Sequence, residues 1–352
     1  MVCVVKHATT PLQGGLPPIH GAGAAMLEIA CDESGFSGSN LLDAATPIFT
    51  HASVDLAVDE AIALITALRS GFACSVNEFK SGQFLRSRQS AEALEWLLAA
   101  LSGRAHVLAV DKEYFLVTRI VDLFLTEPSY AAGTRLTQDQ RPAALALYRG
   151  GRSRSAQWRD FLAAFVELAR AKRGHRPDHS AAERLLRARD SLARVGLGPE
   201  AAGVLDALDH TRVLDVLNRL ALDDRSIPPM LEPMLPALAE TVLFWSGGRR
   251  QVLVIHDEQS ALTAGRLRML QQVLTGAADA SAARAPVSGS PTTRVSPLAG
   301  LVTVDSRGDP RVQIADLLAG VTRRSPDLGG PLRSFLSPTS LLDPGLKRSI
   351  TP

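Results

Sequence analysis

The sequence predicts an α/β fold: a partly parallel sheet layered with helices and interrupted by a long helical insertion. Three observations lead there. Short apolar runs of strand length alternate with helical patterns at both ends of the chain. Three of those runs, in LEIACDES, HVLAVDKE and VLVIHDEQ, end in an acid. Between about residues 131 and 249 strand signals vanish and helical periodicity takes over.

Residues 1–24 carry Pro, Gly and His without periodicity and read as a flexible lead. Residues 26–31 form a first strand, apolar except for Glu28, and residues 47–54 (PIFTHASV) a second. A helix is expected over 55–70, where Leu56, Ile62, Leu64, Ile65 and Leu68 recur at helical spacing and Ser53 or Asp55 can cap. Residues 72–80 fit a strand or a loop. Residues 90–102 form a helix ended by Gly103. A short strand over 106–110 closes on Asp111, and a helix over about 112–126 stops before Pro128.

The middle of the chain opens with a basic amphipathic helix, RSRSAQWRDFLAAFVELARAKRG, followed by helical patterns over 181–194, 199–209 and 212–222. Pro228, Pro229, Pro233 and Pro236 break the region, and a last helix ends in FWSGG. Strand character returns in QVLVIHDEQS, followed by a helix over 264–274, an Ala/Ser/Pro/Gly loop over 276–291 and a short strand over 301–304. Asp309 and Pro310 start the helix RVQIADLLAGVTRR, with Asp as N-cap and Pro at the first helical position. Residues 325–352 read as a poorly ordered tail. The core is thus expected over 25–130 and 251–324, with residues 131–250 as the insertion.

Bulk properties narrow the class. With 38 basic and 36 acidic residues, net charge +2, the whole-protein field does not point to nucleic acid. Cys3, Cys31 and Cys74 form no CxxC, which argues against a disulfide framework and a cysteine zinc site. No apolar stretch approaches the roughly 18–20 residues of a membrane span, and the start lacks a signal-peptide core. A cytoplasmic location is therefore expected, without membrane contact. There is no P-loop and no G-x-G-x-x-G after a strand. GFSGS is not a nucleophile elbow, because Ser39 stands where that motif needs Gly.

What remains is carboxylate chemistry. Functional groups of open α/β sheets gather at the carboxyl ends of strands. The acid-ended strands would bring Asp32 with Glu33, Asp111 and Asp257 to one rim. Clustered carboxylates repel unless a cation neutralises them, and an all-oxygen set suits Mg²⁺ or Mn²⁺. The competing explanation is local, since Asp and Glu favour strand-to-helix turns and caps. In QIADLLAG, residues Ile314, Leu317, Leu318 and Val321 make one stripe. Asp316 falls opposite, among the small or apolar Val312, Ala319 and Gly320. A carboxylate on such a face needs a partner or a metal. Glu78 with Lys80 fits a metal ligand beside a phosphate-facing cation, or an exposed loop pair. His256 fits a proton shuttle or an ordinary strand-end histidine. The Arg-rich stretch 149–176 fits a phosphate track or a solvated face, and its Trp158, Phe161 and Phe165 are spaced like a core stripe.

Together these pieces resemble the bacterial domain-of-unknown-function family 3800. They are Asp32-Glu33-Ser34-Gly35, Glu78 with Lys80, Asp111-Lys112, Asp257-Glu258, and Ser306 through Gln313-Ile314-Ala315-Asp316-Leu317 to Gly320. The match covers roughly residues 26–324. The resemblance implies a ribonuclease H-like mixed sheet flanked by helices. It also implies a metal-dependent nuclease or phosphodiester hydrolase working in phage defence or a mobile element. In that layout Asp32 is the bridging ligand, Asp257 the ligand from a neighbouring strand and Asp316 the ligand from the C-terminal helix, around one or two Mg²⁺ or Mn²⁺ ions. Glu78 or Asp111 would complete the shell, and Lys80 or Lys112 would contact phosphate. Asp111 and Asp257 both fit the neighbouring-strand slot. Strand alternation turns Glu33 to the other face and ranks it behind Asp32. The substrate would be DNA, RNA or a small phosphorylated molecule. The alternative is a non-catalytic module that binds a protein partner through the helical insertion.

Overall fold

The computed structural model describes residues 15–18, 26–72, 81–136, 138–282, 295–325 and 330–343. Five strands form one sheet: β1 (Met26–Ser34), β2 (Ile48–Val54), β3 (Ala105–Asp111), β4 (Gln251–Asp257) and β5 (Leu298–Val304). Their order across the sheet is β3-β2-β1-β4-β5. β2 runs antiparallel to β1 and β3, whereas β4 and β5 run parallel to β1. The C-terminal ends of β1, β3, β4 and β5 therefore share one rim. β1 is the central strand, and its Ile29 to Asp32 stretch is buried on both faces, as expected of a strand covered by helices on each side. β1 also runs three residues beyond the expected end, so DES belongs to the strand and the turn starts at Gly35.

Between β2 and β3 stand α1 (Val58–Gly71), α2 (Ser81–Phe84) and α3 (Ser90–Ala100). After β3 come α4 (Lys112–Phe124), α5 (Tyr130–Thr134), α6 (Arg141–Arg152), α7 (Ser155–Ala169), α8 (His179–Ala193), α9 (Pro199–Ala207), α10 (His210–Ala221) and α11 (Met234–Ser246). α12 (Ala264–Ala282) joins β4 to β5, and α13 (Pro310–Arg324) follows β5. No helix of the described residues is long and apolar enough to cross a membrane.

Alternation along the strands feeds two apolar layers. Ala30, Ala52, Val107, Leu253 and Ile255 pack with α1, α3 and the Ile314, Leu317 and Leu318 side chains of α13. Ile29, Cys31, Phe49, Leu108 and Val254 pack with α4 and with the helical block. That block is no detached lobe, because Trp158, Phe161, Phe165 and Leu238 belong to the same continuous apolar cluster. The aromatic stripe of α7 is accordingly core. Trp158 also donates its indole N–H to Glu113 Oε2 at 3.0 Å, tying α7 to α4.

Gly151 permits this seat. A Cβ there would stand 2.2 Å from Trp158 Cε3. Gly151→Ala is expected to lower the unfolding free energy by about 1–3 kcal/mol through overpacking, read as a shifted midpoint in urea denaturation.

Both outer strands are covered. Residues 336–341 lie alongside β3: Ser337 N–H donates to Val107 O at 2.7 Å, Leu341 N–H to Ala109 O at 2.9 Å, and Asp111 N–H to Leu341 O at 2.9 Å. Leu332, Phe335 and Leu341 are buried, and Arg149 of α6 pairs with Asp343 at 2.6 Å. The expectation of a poorly ordered tail from residue 325 is therefore corrected for 330–343. The edge strand's own N–H and C=O groups, which need partners, recruit that segment. On the other edge Leu16 exchanges two 2.8 Å backbone bonds with Leu301 of β5, so this part of the expected flexible lead is seated too.

Candidate carboxylate site

Asp32 sits near the end of β1 at 6% exposure. Its parity with Ala30 turns it to the face that α13 covers. Its Oδ1 accepts the Glu33 N–H at 2.7 Å. Asp257 ends β4, the parallel neighbour of β1, one step past the Cys31–His256 pairing. Its parity with Ile255 gives it the same face, and its Oδ1 accepts the Ser306 N–H at 3.0 Å. Asp316 comes from α13 and is half-buried. The helix is buried at Ile314, Leu317, Leu318 and Val321, and also at Val312, Ala319 and Gly320. The small residues opposite the main stripe are thus packed, as their composition suggested.

These carboxylates feel one another. Asp32 is pushed well above the usual carboxylate range, first by burial and then by the charges of Glu33, Asp316 and Asp257; the Glu33 N–H acts in the opposite direction. Glu33 is raised too, chiefly by burial, with the His256 charge and a Gln259 hydrogen bond opposing. The site is a negative centre contributed by β1, β4 and α13. Among the described residues no three His, Cys, Asp or Glu side chains already enclose a point suited to a metal ion.

Behind the site lies a polar cluster in which Glu33 and His256 meet residues that sequence reasoning missed, His51, Thr241 and Gln259. Glu33 Oε1 accepts from Gln259, and Glu33 Oε2 lies 3.8 Å from His256 Nε2. His256 Nε2 stands 3.2 Å from His51 Nε2, with the two rings stacked 5.3 Å apart. His51 Nδ1 meets Thr241 Oγ1 of α11 at 2.9 Å. His256 Nδ1 donates to the Asp257 carbonyl at 2.9 Å, since a carbonyl can only accept. Burial holds His51 well below the usual histidine range. The available signal was a histidine inside the otherwise apolar strand PIFTHASV, because a buried ring nitrogen needs a polar partner.

The other expected residues lie elsewhere. Asp111 is two strands from β1, about 10 Å across the sheet. Its Oδ1 caps α4 through Glu113 N and Tyr114 N, and its Oδ2 accepts the Tyr148 hydroxyl at 2.8 Å. It is a helix cap and an anchor for α6, and only Asp257 of the two neighbouring-strand candidates stands beside Asp32. Lys112 is 1% exposed. Its ammonium donates to Ser37 Oγ at 2.9 Å and Thr46 Oγ1 at 3.0 Å, and burial pulls it down to about 8. It fastens the turn after β1 where an open phosphate contact was expected. Glu78 and Lys80 lie outside the described residues. No family model, no curated protein and no solved structure matches the chain.

Proposed function

We propose that this protein is a metal-dependent phosphodiester hydrolase of the nuclease type, with Asp32, Asp257 and Asp316 as the residues that hold Mg²⁺ or Mn²⁺. The observation that supports this is the convergence of Asp257, from the neighbouring parallel strand, and Asp316, from α13, on buried Asp32 of β1; their charges act on it after burial and the Glu33 charge. The donor set fits a hard divalent cation, being all oxygen. Backbone N–H groups engage Oδ1 of both Asp32 and Asp257, which orients each carboxylate. A bound cation would neutralise the cluster, activate a water and stabilise the leaving oxygen of a phosphodiester. The strand order, with β2 alone antiparallel, supports the ribonuclease H-like reading. So does the placing of the acids on the first strand, a neighbouring strand and a C-terminal helix. A setting in phage defence or a mobile element rests on the sequence resemblance alone.

The test is cleavage of single- and double-stranded DNA and RNA with Mg²⁺ or Mn²⁺. Wild type is expected to cut at least one of these, and Asp316→Ala, folded by circular dichroism, is expected to cut none. Equal products from both proteins, or no cleavage under either metal, would overturn the reading.

A further inference from the structure

Beside the carboxylates, Arg323 and Arg324 of α13 stand without an ion pair among the described residues. Arg323, in the last turn of α13, donates from Nε to Ser34 Oγ at 2.9 Å, across the end of β1. The turn is shaped for this contact. Gly35 holds φ +82°, and a Cβ there would come within 2.6 Å of Arg323 Cδ and 2.3 Å of Ile48 O. Arg324 follows and donates to Ser81 Oγ and to Gly320 O. Lys112 is near enough for the Arg323 charge to act on its ammonium, with the Asp43 charge acting in the opposite direction. Burial and the Arg324 charge both bear on Arg323, and among the described residues no carboxylate offsets them. Some arginines elsewhere pair with acids, as in Arg104–Glu60, Arg184–Glu167 and Arg219–Asp224, and others, such as Arg141, Arg173 and Arg212, donate to backbone carbonyls. Among the described residues Arg323, Arg324 and Lys112 form no ion pair.

A half-buried guanidinium without a counter-charge is unfavourable unless an anion arrives. We propose that Arg323, with Arg324 and the Ser34 hydroxyl, is a phosphate-binding corner that takes the backbone of a nucleic-acid strand lying across the carboxylate site. Lys112, buried beneath the turn, adds charge and holds Ser37 in place. The proposal rests on the hydrolase reading for its choice of substrate. The spacing selects a strand over a mononucleotide. Arg323 is seven residues from Asp316 along α13, about 10.5 Å, and Ser34 is two residues from Asp32 along β1, about 6.6 Å. At that separation the corner meets a phosphate other than the one at the carboxylates, farther along the same strand. It also answers an electrostatic problem, since an acidic centre repels a polyanion unless neighbouring cations steer it in.

The experiment is fluorescence anisotropy of a labelled single-stranded oligonucleotide in EDTA, titrated with full-length protein at several salt concentrations. Wild type is expected to bind. Arg323→Gln is expected to bind about tenfold more weakly, with a salt slope shallower by about 0.7. Arg323→Lys should keep most of that slope, which separates loss of charge from loss of fold. The control Arg187→Gln, at an exposed site on α8, should match wild type. A mononucleotide or inorganic phosphate at equal phosphate concentration should compete poorly. Wild-type affinity and slope in Arg323→Gln would overturn the proposal, as would no binding by wild type. Competition by the mononucleotide equal to that of the oligonucleotide would overturn the strand assignment. Because the chelated assay reads recognition without hydrolysis, strand binding without metal-dependent cleavage would sink the hydrolase reading and leave the corner standing.

Discussion

Asp32→Asn is expected to abolish metal-dependent hydrolysis and, in the same protein kept metal-free, to raise the melting temperature. The asparagine retains the shape of the side chain and an Oδ1 that accepts the Glu33 N–H. It removes a charge that burial and three nearby carboxylates disfavour. The sign follows from linkage. A carboxyl whose folded pKa exceeds its unfolded value binds protons more tightly in the native state. Stability is then highest below the ordinary carboxylate range and falls as pH rises through the window between the two values. At neutral pH wild type carries a penalty that Asp32→Asn does not. The gain is expected to show as a midpoint higher by a few degrees in thermal unfolding in EDTA. The difference should narrow as pH falls from the raised native value toward the ordinary carboxylate range, because the folded wild type takes up its proton within that window. Added Mg²⁺ or Mn²⁺ should raise the wild-type midpoint and leave the variant unmoved, because only the native wild type binds the ion. A lower midpoint for Asp32→Asn in EDTA would show that the buried charge is compensated and would remove the ground for a cation site.

The largest loss of stability is expected from Arg119→Met. Arg119 lies in α4 at 1% exposure, and its guanidinium meets Asp122 Oδ2 at 2.9 Å, with Asp122 itself only 4% exposed. The same guanidinium sits 4.9 Å from the Phe115 ring centroid. Truncating one partner strands the other charge in the interior, a change of about 3–5 kcal/mol. The exposed Arg187–Glu183 pair of α8, by contrast, is worth well under about 1 kcal/mol. Urea unfolding should show the Arg119→Met midpoint far below wild type. Adding Asp122→Leu should restore most of the loss, because two apolar side chains fill the volume without a stranded charge. A single variant within about 1 kcal/mol of wild type would mean that Asp122 finds other compensation.

Much of the sheet was legible because period-two burial and short apolar runs are local properties. β2, β3 and β4 fall within a few residues of their expected places. α13 carried both its cap and its unusual packed face in its own sequence. The choice between Asp111 and Asp257 was not legible, since it depends on which strand lies beside β1, and that order is set by pairing across the whole chain. Lys112 was misread because the hydroxyls that bury its ammonium come from another segment, Ser37 and Thr46. The seating of 336–341 on β3 uses backbone groups, which leave no trace in residue identity. Glu33 shows a subtler limit. Alternation turns it toward His256 and away from the face of Asp32, yet its charge is still the largest acting on Asp32. Covalent adjacency at the rim outweighs the division between faces.

The split core also sets a schedule for biosynthesis. β1 and β2 leave the ribosome early, but β4, their sheet neighbour on the other side, and α13 arrive only after the whole helical block. The Thr50 hydroxyl reaches its acceptor, the Ala319 carbonyl, across 269 residues of chain. No nascent polypeptide that stops before Asp316 contains all three carboxylates. Closure of long-range parallel pairing is slow, which makes the joining of β1 to β4 the step most dependent on an undisturbed, completed chain.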